Sequence, residues 1–192
     1  MKKVIIVTGT PGTGKTTISK LLAKQIDAKY VPLTQHVTSN KLFNKVDRSR
    51  ASKIMNLTKT RANLRNLLLK EHRTVVVDSH VPDIVAPKGV VKRVFVLRCH
   101  PKILKSRLRS KKWKKSKIRE NLLAEILDAC LVEAVAYYGR RAVFEIDTSH
   151  KSAGWCVTRA KVHLRQNSAR KGRTVDWITR LNREHSLLRY IR

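Results

Sequence analysis

The stretch Gly9-Thr10-Pro11-Gly12-Thr13-Gly14-Lys15-Thr16-Thr17 constrains this chain more than any other. It follows the apolar run Val4 to Val7 and leads into Ile18, Leu21, Leu22 and Ile26, which recur at helical spacing. The pattern predicts a strand, a tight glycine loop and an amphipathic helix. Such a loop suits a triphosphate tail. Glycines at 9, 12 and 14 let backbone N–H groups curl around phosphate oxygens without side-chain collision. Pro11, Thr13 and Thr17 complete the cradle, Lys15 neutralises the outer phosphates, and the Thr16 hydroxyl is placed to ligate Mg²⁺. The start of the following helix adds partial positive charge beneath them. A glycine turn that merely joins a strand to a helix has no need of lysine followed by threonine.

The rest of the chain alternates strand and helix patterns, which predicts a three-layer α/β fold around a parallel sheet of about five strands. Lys29 to Leu33 reads as a second strand, and Thr34 to Ser52 as an irregular polar insert. Lys53 to Lys70 carries Ile54, Leu57, Leu64, Leu67 and Leu68 on one helical face. Thr74-Val75-Val76-Val77-Asp78 is a β-branched run ending in an acid, as in a strand buried on both faces whose C-terminal end opens into a site. Asp78 is therefore the candidate to hold Mg²⁺ opposite Thr16. Its alternative, a helix-capping aspartate, fits poorly, because Ser79-His80-Val81-Pro82 begins no helical pattern. Arg93 to Arg98 reads as a further strand, and Pro101 suits the first turn of a helix carrying Ile103, Leu104 and Leu108. Ser116 is placed to cap one long helix with a core stripe at Ile118, Leu122, Ile126, Ala129, Val132 and Ala136. Ala142 to Ile146 gives the last strand, Asp147-Thr148-Ser149 a loop on which a base could rest, and Gly154 to Arg165 a closing helix.

Charge sets the class of partner. The 43 Lys and Arg against 13 Asp and Glu give a formal charge of +30. A chain this basic repels itself unless a polyanion is near, and nucleic acid is the obvious one. From Arg98 to Arg119 there are eleven Lys or Arg and no acid, with Trp113 among them. That passage reads as a segment closing over ligand or as a solvated helix face. No apolar run is long enough to span a bilayer, no lipidation motif is present and the first residues are too few for a signal peptide, so the expected setting is cytoplasmic, away from membranes. Cys99, Cys130 and Cys156 lie far apart, as buried thiols in a reducing compartment would, without disulfide or zinc spacing. Beyond Gln166 the character changes. Ala169 to Arg173 reads as a linker, then Trp177, Ile178, Leu181, Leu188 and Ile191 line one side of a basic helix, which could bind RNA, a protein or an acidic membrane, or fold back on the core.

Taken together, G-T-P-G-T-G-K-T-T, V-V-V-D-S-H, F-V-L-R and E-N-L-L-A-E-I resemble the adenylate-kinase-fold ATPases of small-ribosomal-subunit maturation. These are known in eukaryotes as adenylate kinase isoenzyme six or the coilin-interacting nuclear ATPase, with archaeal relatives. The resemblance covers about Lys3 to Arg165, and its most specific piece is the D-x-H of Asp78 and His80. It implies a core over 1–165 with a monophosphate-binding insert at about 34–60 and a basic lid at about 107–117; the basic C-terminal extension over 166–192 has no counterpart in the family. It further implies ATP on Gly9 to Thr16, Mg²⁺ supported by Asp78, His80 near the γ-phosphate, and Arg107 as a lid arginine. Partners implied are ribosomal RNA of a pre-small-subunit particle and a platform ribosomal protein. Two departures stand out. The lid carries Lys111-Lys112-Trp113 where the family reads R-G-Y or R-G-W, so Lys111 replaces a fork-shaped cation. Family acids after the second strand give way to Arg48, Arg50, Lys53 and Lys59, although Asp47 remains.

Three functions follow from this reading. The leading expectation is a Mg²⁺-dependent ATPase acting on a ribosomal particle. The second is a nucleoside monophosphate kinase making ADP from ATP and AMP, or another small-molecule kinase. The third is a binding protein in which nucleotide is structural.

Overall fold

The chain is described by a computed structural model over residues 3–47, 52–81, 86–166 and 175–191. Five parallel strands form its centre: β1 (Val4–Gly9), β2 (Lys29–Pro32), β5 (Val75–Asp78), β6 (Val91–Arg98) and β7 (Val143–Asp147), in the order β2-β5-β1-β6-β7. The α/β class expected from the sequence is the one observed. Strand alternation divides the core into two layers. Val4 and Ile6 of β1, Val75 and Val77 of β5, and Val94 and Val96 of β6 face one side. There they meet α3 (Leu57–Lys70) through Leu64 and Leu68, and α6 (Ala129–Tyr138) through Leu131 and Ala134. Ile5, Val7, Val76, Phe95 and Leu97 face the other side, against Ile18 and Leu22 of α1 (Lys15–Gln25) and Cys156, Val157 and Ala160 of α7 (Ala153–Arg165). Strands buried on both faces read as continuous apolar runs, which is why the sequence reveals them.

Departures from the expected elements occur where tertiary contacts outweigh local pattern. The described part of the predicted irregular insert carries regular structure: α2 (Leu33–Ser39) anchors Leu33 and Val37, and β3 (Phe43–Asp47) pairs antiparallel with β4 (Ser52–Met55). Arg48 and Arg50 lie outside the described residues. The helix expected from Lys53 starts only at Leu57, because Asn56 caps it, its side chain accepting the Lys59 N–H at 2.9 Å. Ile54 and Leu57 are consequently exposed.

The single helix expected after Ser116 is two. α5 (Lys115–Ile126) begins before Ser116, which therefore does not cap it, and Asp128 at φ 58° breaks the run before α6. The break rotates the second half of the stripe. Leu131, Ala134 and Tyr138 are buried there, and Val132 is exposed.

The basic passage is helical as well. α4 (Pro101–Ser110) and α5 pack through Leu104, Leu108, Ile118 and Leu122, with His100 capping α4 and Pro101 in its first turn. The solvated-face reading describes most of its cations, and Arg98 is the buried exception.

The C-terminal segment folds back. α8 (Trp177–Arg183) and α9 (Leu188–Ile191) bring Trp177 and Leu181 onto Ile126 of α5, and Trp177 is 1% exposed. The expected linker, Ala169 to Arg173, lies outside the described residues. All three cysteines are free; burial pushes the Cys99 thiol up to about 11 and raises those of Cys130 and Cys156. Among the described residues no helix is long and apolar enough to cross a membrane.

Candidate functional site

The glycine loop leaves the carboxyl end of β1, the central strand, and enters α1, which puts it where parallel sheets bind ligands. Two glycines there admit no side chain. Gly9, at φ 138°, lies against the Leu97 carbonyl, and a Cβ would collide with it. Gly12, at φ 93°, would place a Cβ 2.8 Å from Leu104 Cδ1 and 3.0 Å from Leu108 Cδ2. Gly12→Ala therefore carries the left-handed penalty of about 1–2 kcal/mol and pushes the loop away from α4. It is expected to weaken nucleotide binding by about 10-fold, roughly the equivalent of that penalty, in a titration with fluorescent ATP analogue. Unchanged affinity would show that the loop adapts.

The remaining loop residues fall into two sets. Thr13 is buried and donates to the Thr10 carbonyl at 2.8 Å, fixing the loop's curvature. Pro11 is half-buried, Gly14 precedes the first turn of α1, and Thr16 and Thr17 are exposed at its start. Lys15 folds back over the loop, donating from Nζ to the carbonyls of Gly9 at 2.7 Å and Thr10 at 3.2 Å. Burial pushes its pKa down, Asp78 opposes that, and Lys111 adds to the lowering. Lys111, just after α4, is thus within electrostatic reach of Lys15.

Asp78 ends β5, in register with Val7 of β1, and its Oδ2 accepts the Thr16 hydroxyl at 2.8 Å. The two residues singled out for Mg²⁺ therefore meet across 62 positions of chain. One hydroxyl and one carboxylate are hard oxygen donors, the set a Mg²⁺ ion takes when phosphates and water supply its other ligands. Tyr30 of β2, which the sequence did not mark, donates to the same oxygen at 3.3 Å, and its own pKa is pushed up to about 12, first by burial and then by the Asp78 charge. His80 follows β5 by two residues. Desolvation lowers its pKa, the Lys15 charge lowers it further and Asp78 opposes, so its imidazole is held toward the neutral form beside these charges.

Arg107 is placed differently. Its guanidinium donates to the Thr148 carbonyl at 2.9 Å and reaches Thr148 Oγ1 at 3.3 Å. That hydroxyl lies 2.9 Å from the Thr13 carbonyl, so Arg107 borders the glycine loop through the loop after β7. Delivering Arg107 to a phosphate exchanges these carbonyl bonds for charge-assisted ones.

Behind the loop lies a buried network that no local pattern announces. Glu125 of α5 accepts the Thr10 hydroxyl at 2.6 Å on Oε2; on Oε1 it accepts Arg98 Nε at 2.9 Å, the Cys99 N–H at 3.1 Å and Trp177 Nε1 at 2.9 Å. Arg98 also donates to Glu145 Oε2 at 3.0 Å and to Asp128 Oδ1. Burial works against the guanidinium's charge, but Glu125 and Asp128 outweigh it and raise its pKa. The only sequence signal for this network is that Arg98, Glu125 and Glu145 stand in or beside otherwise apolar runs. The group steadies the phosphate loop from below.

Comparison with known proteins agrees with this geometry. A family model described as an AAA domain matches residues 5–128. A protein of Methanocaldococcus jannaschii named "Putative adenylate kinase" is 36% identical over 173 residues, 90% of this chain and 92% of its own. Proteins carrying the same name in Methanosarcina barkeri and Pyrococcus abyssi are 37% identical over 150 residues, 78% of this chain and 79% of its own, and 36% over 174, 91% of both. Among solved structures, a shikimate kinase of Bacteroides thetaiotaomicron superposes with a TM-score of 0.57 at 17% identity, covering 85% of this chain and 98% of its own, and shares the fold. The chain uses ATP with Mg²⁺ as a phosphotransferase of the P-loop kinase type. By sequence and by the construction of its phosphate site, it belongs to the adenylate-kinase-like family of P-loop proteins.

Proposed function

We propose that the protein transfers the γ-phosphoryl group of ATP to a nucleoside monophosphate, with AMP as the acceptor. The observation that carries this reading is the meeting of Lys15, Thr16 and Asp78 beyond the ends of β1 and β5. The acceptor is taken from the name its relatives bear. Bound Mg²⁺ neutralises charge on the outer phosphates. Lys15 exchanges its two carbonyl partners for phosphate oxygens, and the helix start beneath the loop supports the developing charge. Thr16 and Asp78 would hold the metal, Tyr30 keeps the carboxylate oriented, and His80, two residues after Asp78, is the group to position the attacking oxygen. In this reading the reaction is catalysed almost entirely by placement and charge. The test is ADP formation from ATP, with and without AMP. Two ADP per AMP consumed is the expected result; ADP release at the same rate without AMP overturns it.

A second reading is favoured by the formal charge of +30. In it, ATP hydrolysis accompanies maturation of the small ribosomal subunit, with the chain bound to pre-ribosomal RNA and a platform ribosomal protein in the cytoplasm. Phosphate release stimulated by those components and indifferent to AMP would favour it over the kinase.

A further inference from the structure

Away from the phosphate loop, α4 and the folded-back α8–α9 segment enclose a cleft of about 480 Å³. Lys102, Lys105 and Arg109 line one wall, three and seven residues apart and so on one face of α4. Arg189 and Tyr190 of α9 line the other. Lys102, Arg109 and Arg189 are exposed, and Lys105 Nζ sits 5.8 Å from the centroid of the Tyr190 ring. Among the described residues no acid pairs with any of the four cations. The one carboxylate lining the cleft, Glu184, is already taken by Arg180 at 3.0 Å and His100 at 3.2 Å. Four like charges around an aromatic ring repel one another unless an anion enters.

We propose that this cleft binds the backbone phosphates of single-stranded RNA, with Tyr190 offering an apolar wall to a nucleotide. The proposal rests on the nucleic-acid reading of the charge and is independent of the phosphotransfer chemistry. The choice of RNA over a small anion follows from what continues the cleft. Lys112, Lys114, Lys115 and Lys117 follow α4 directly in the chain and are all exposed, so positive charge continues past the C-terminal end of the α4 wall, more than one small anion neutralises. A cleft of this size admits one strand with its nucleotides splayed, not a duplex.

The test is fluorescence anisotropy of a labelled single-stranded RNA between 0.05 and 0.3 M salt. It compares wild type, the cleft variant Lys102→Ala/Lys105→Ala/Arg189→Ala, which leaves the 107–117 segment intact, and a control variant Lys20→Ala/Lys24→Ala/Lys70→Ala that removes the same charge elsewhere. The cleft variant is expected to bind about 100-fold more weakly at 0.1 M salt, with the salt slope reduced by about 2, as loss of three phosphate contacts requires. ADP formation from ATP and AMP should be unchanged in it. Equal weakening by the control variant overturns the cleft and leaves only diffuse attraction. Wild type that binds no RNA at low salt overturns the nucleic-acid reading itself. Displacement of RNA by sub-millimolar inorganic phosphate overturns the choice of ligand and makes the cleft a small-anion site.

Discussion

Arg98→Met is expected to lower stability by about 3–5 kcal/mol, the cost of leaving buried charge without its partner. The side chain is among the most buried in the protein and lies between three carboxylates, Glu125, Glu145 and Asp128. Methionine fills much of the volume but supplies none of the donors. Arg140 still reaches Glu145, at 3.2 Å, and covers part of the excess negative charge. For a chain of this length, a loss of this size moves the thermal midpoint down by about 10 °C, read by circular dichroism. Because Glu125 also holds Thr10 and Trp177, the melt should be accompanied below its midpoint by a change in tryptophan emission as the C-terminal segment loosens. A midpoint within about 2 °C of wild type would mean that the carboxylates protonate at little cost, and that the network is not what holds α8 in place.

Lys15→Ala is expected to reduce kcat/KM for ADP formation by about 10³-fold, the upper range for loss of one preorganised charge at a phosphoryl group. Stability should fall modestly, by about 1–2 kcal/mol, because Gly9 and Thr10 are buried and their carbonyls lose the Lys15 ammonium. Lys15→Arg tests geometry against charge. It keeps the cation but not the compact ammonium, and should recover only a small part of the rate. Retention of more than a tenth of wild-type activity in Lys15→Ala would show that Arg107 or Lys111 carries the neutralisation. In that outcome these two cations of α4 and its C-terminal end, and not the loop, would be the centre of the chemistry.

These two variants lie on opposite sides of what could be read from the sequence. The loop from Gly9 to Thr17 was legible because its conformation is local: each glycine answers a backbone demand within a few residues, and lysine and threonine follow at fixed spacing. Asp78 was legible because a strand buried on both faces has an unmistakable β-branched run and a defined exit. The five-stranded parallel sheet follows from the same signal repeated.

Other features had no such signal. The hairpin of β3 and β4 is short and polar, and the break at Asp128 interrupts a stripe that continues at helical spacing on both sides. Tyr30 gains its contact with Asp78 only when β2 settles beside β5. The C-terminal stretch, expected as one helix with four possible destinations, is two short helices held on the core by Trp177 and Leu181 packing with Ile126 and by the indole N–H meeting Glu125 across 52 residues of chain.

Local sequence is enough to mark the glycine loop, Thr16 and Asp78, and the parallel sheet, because backbone conformation and two-sided burial leave their marks on neighbouring residues. Arg98 as a buried hub, with Trp177 closing it, emerges only once the chain is folded. A buried charge is stable only when its partners, here 27, 30 and 47 residues away, arrive together, and no short stretch of chain records that arrangement.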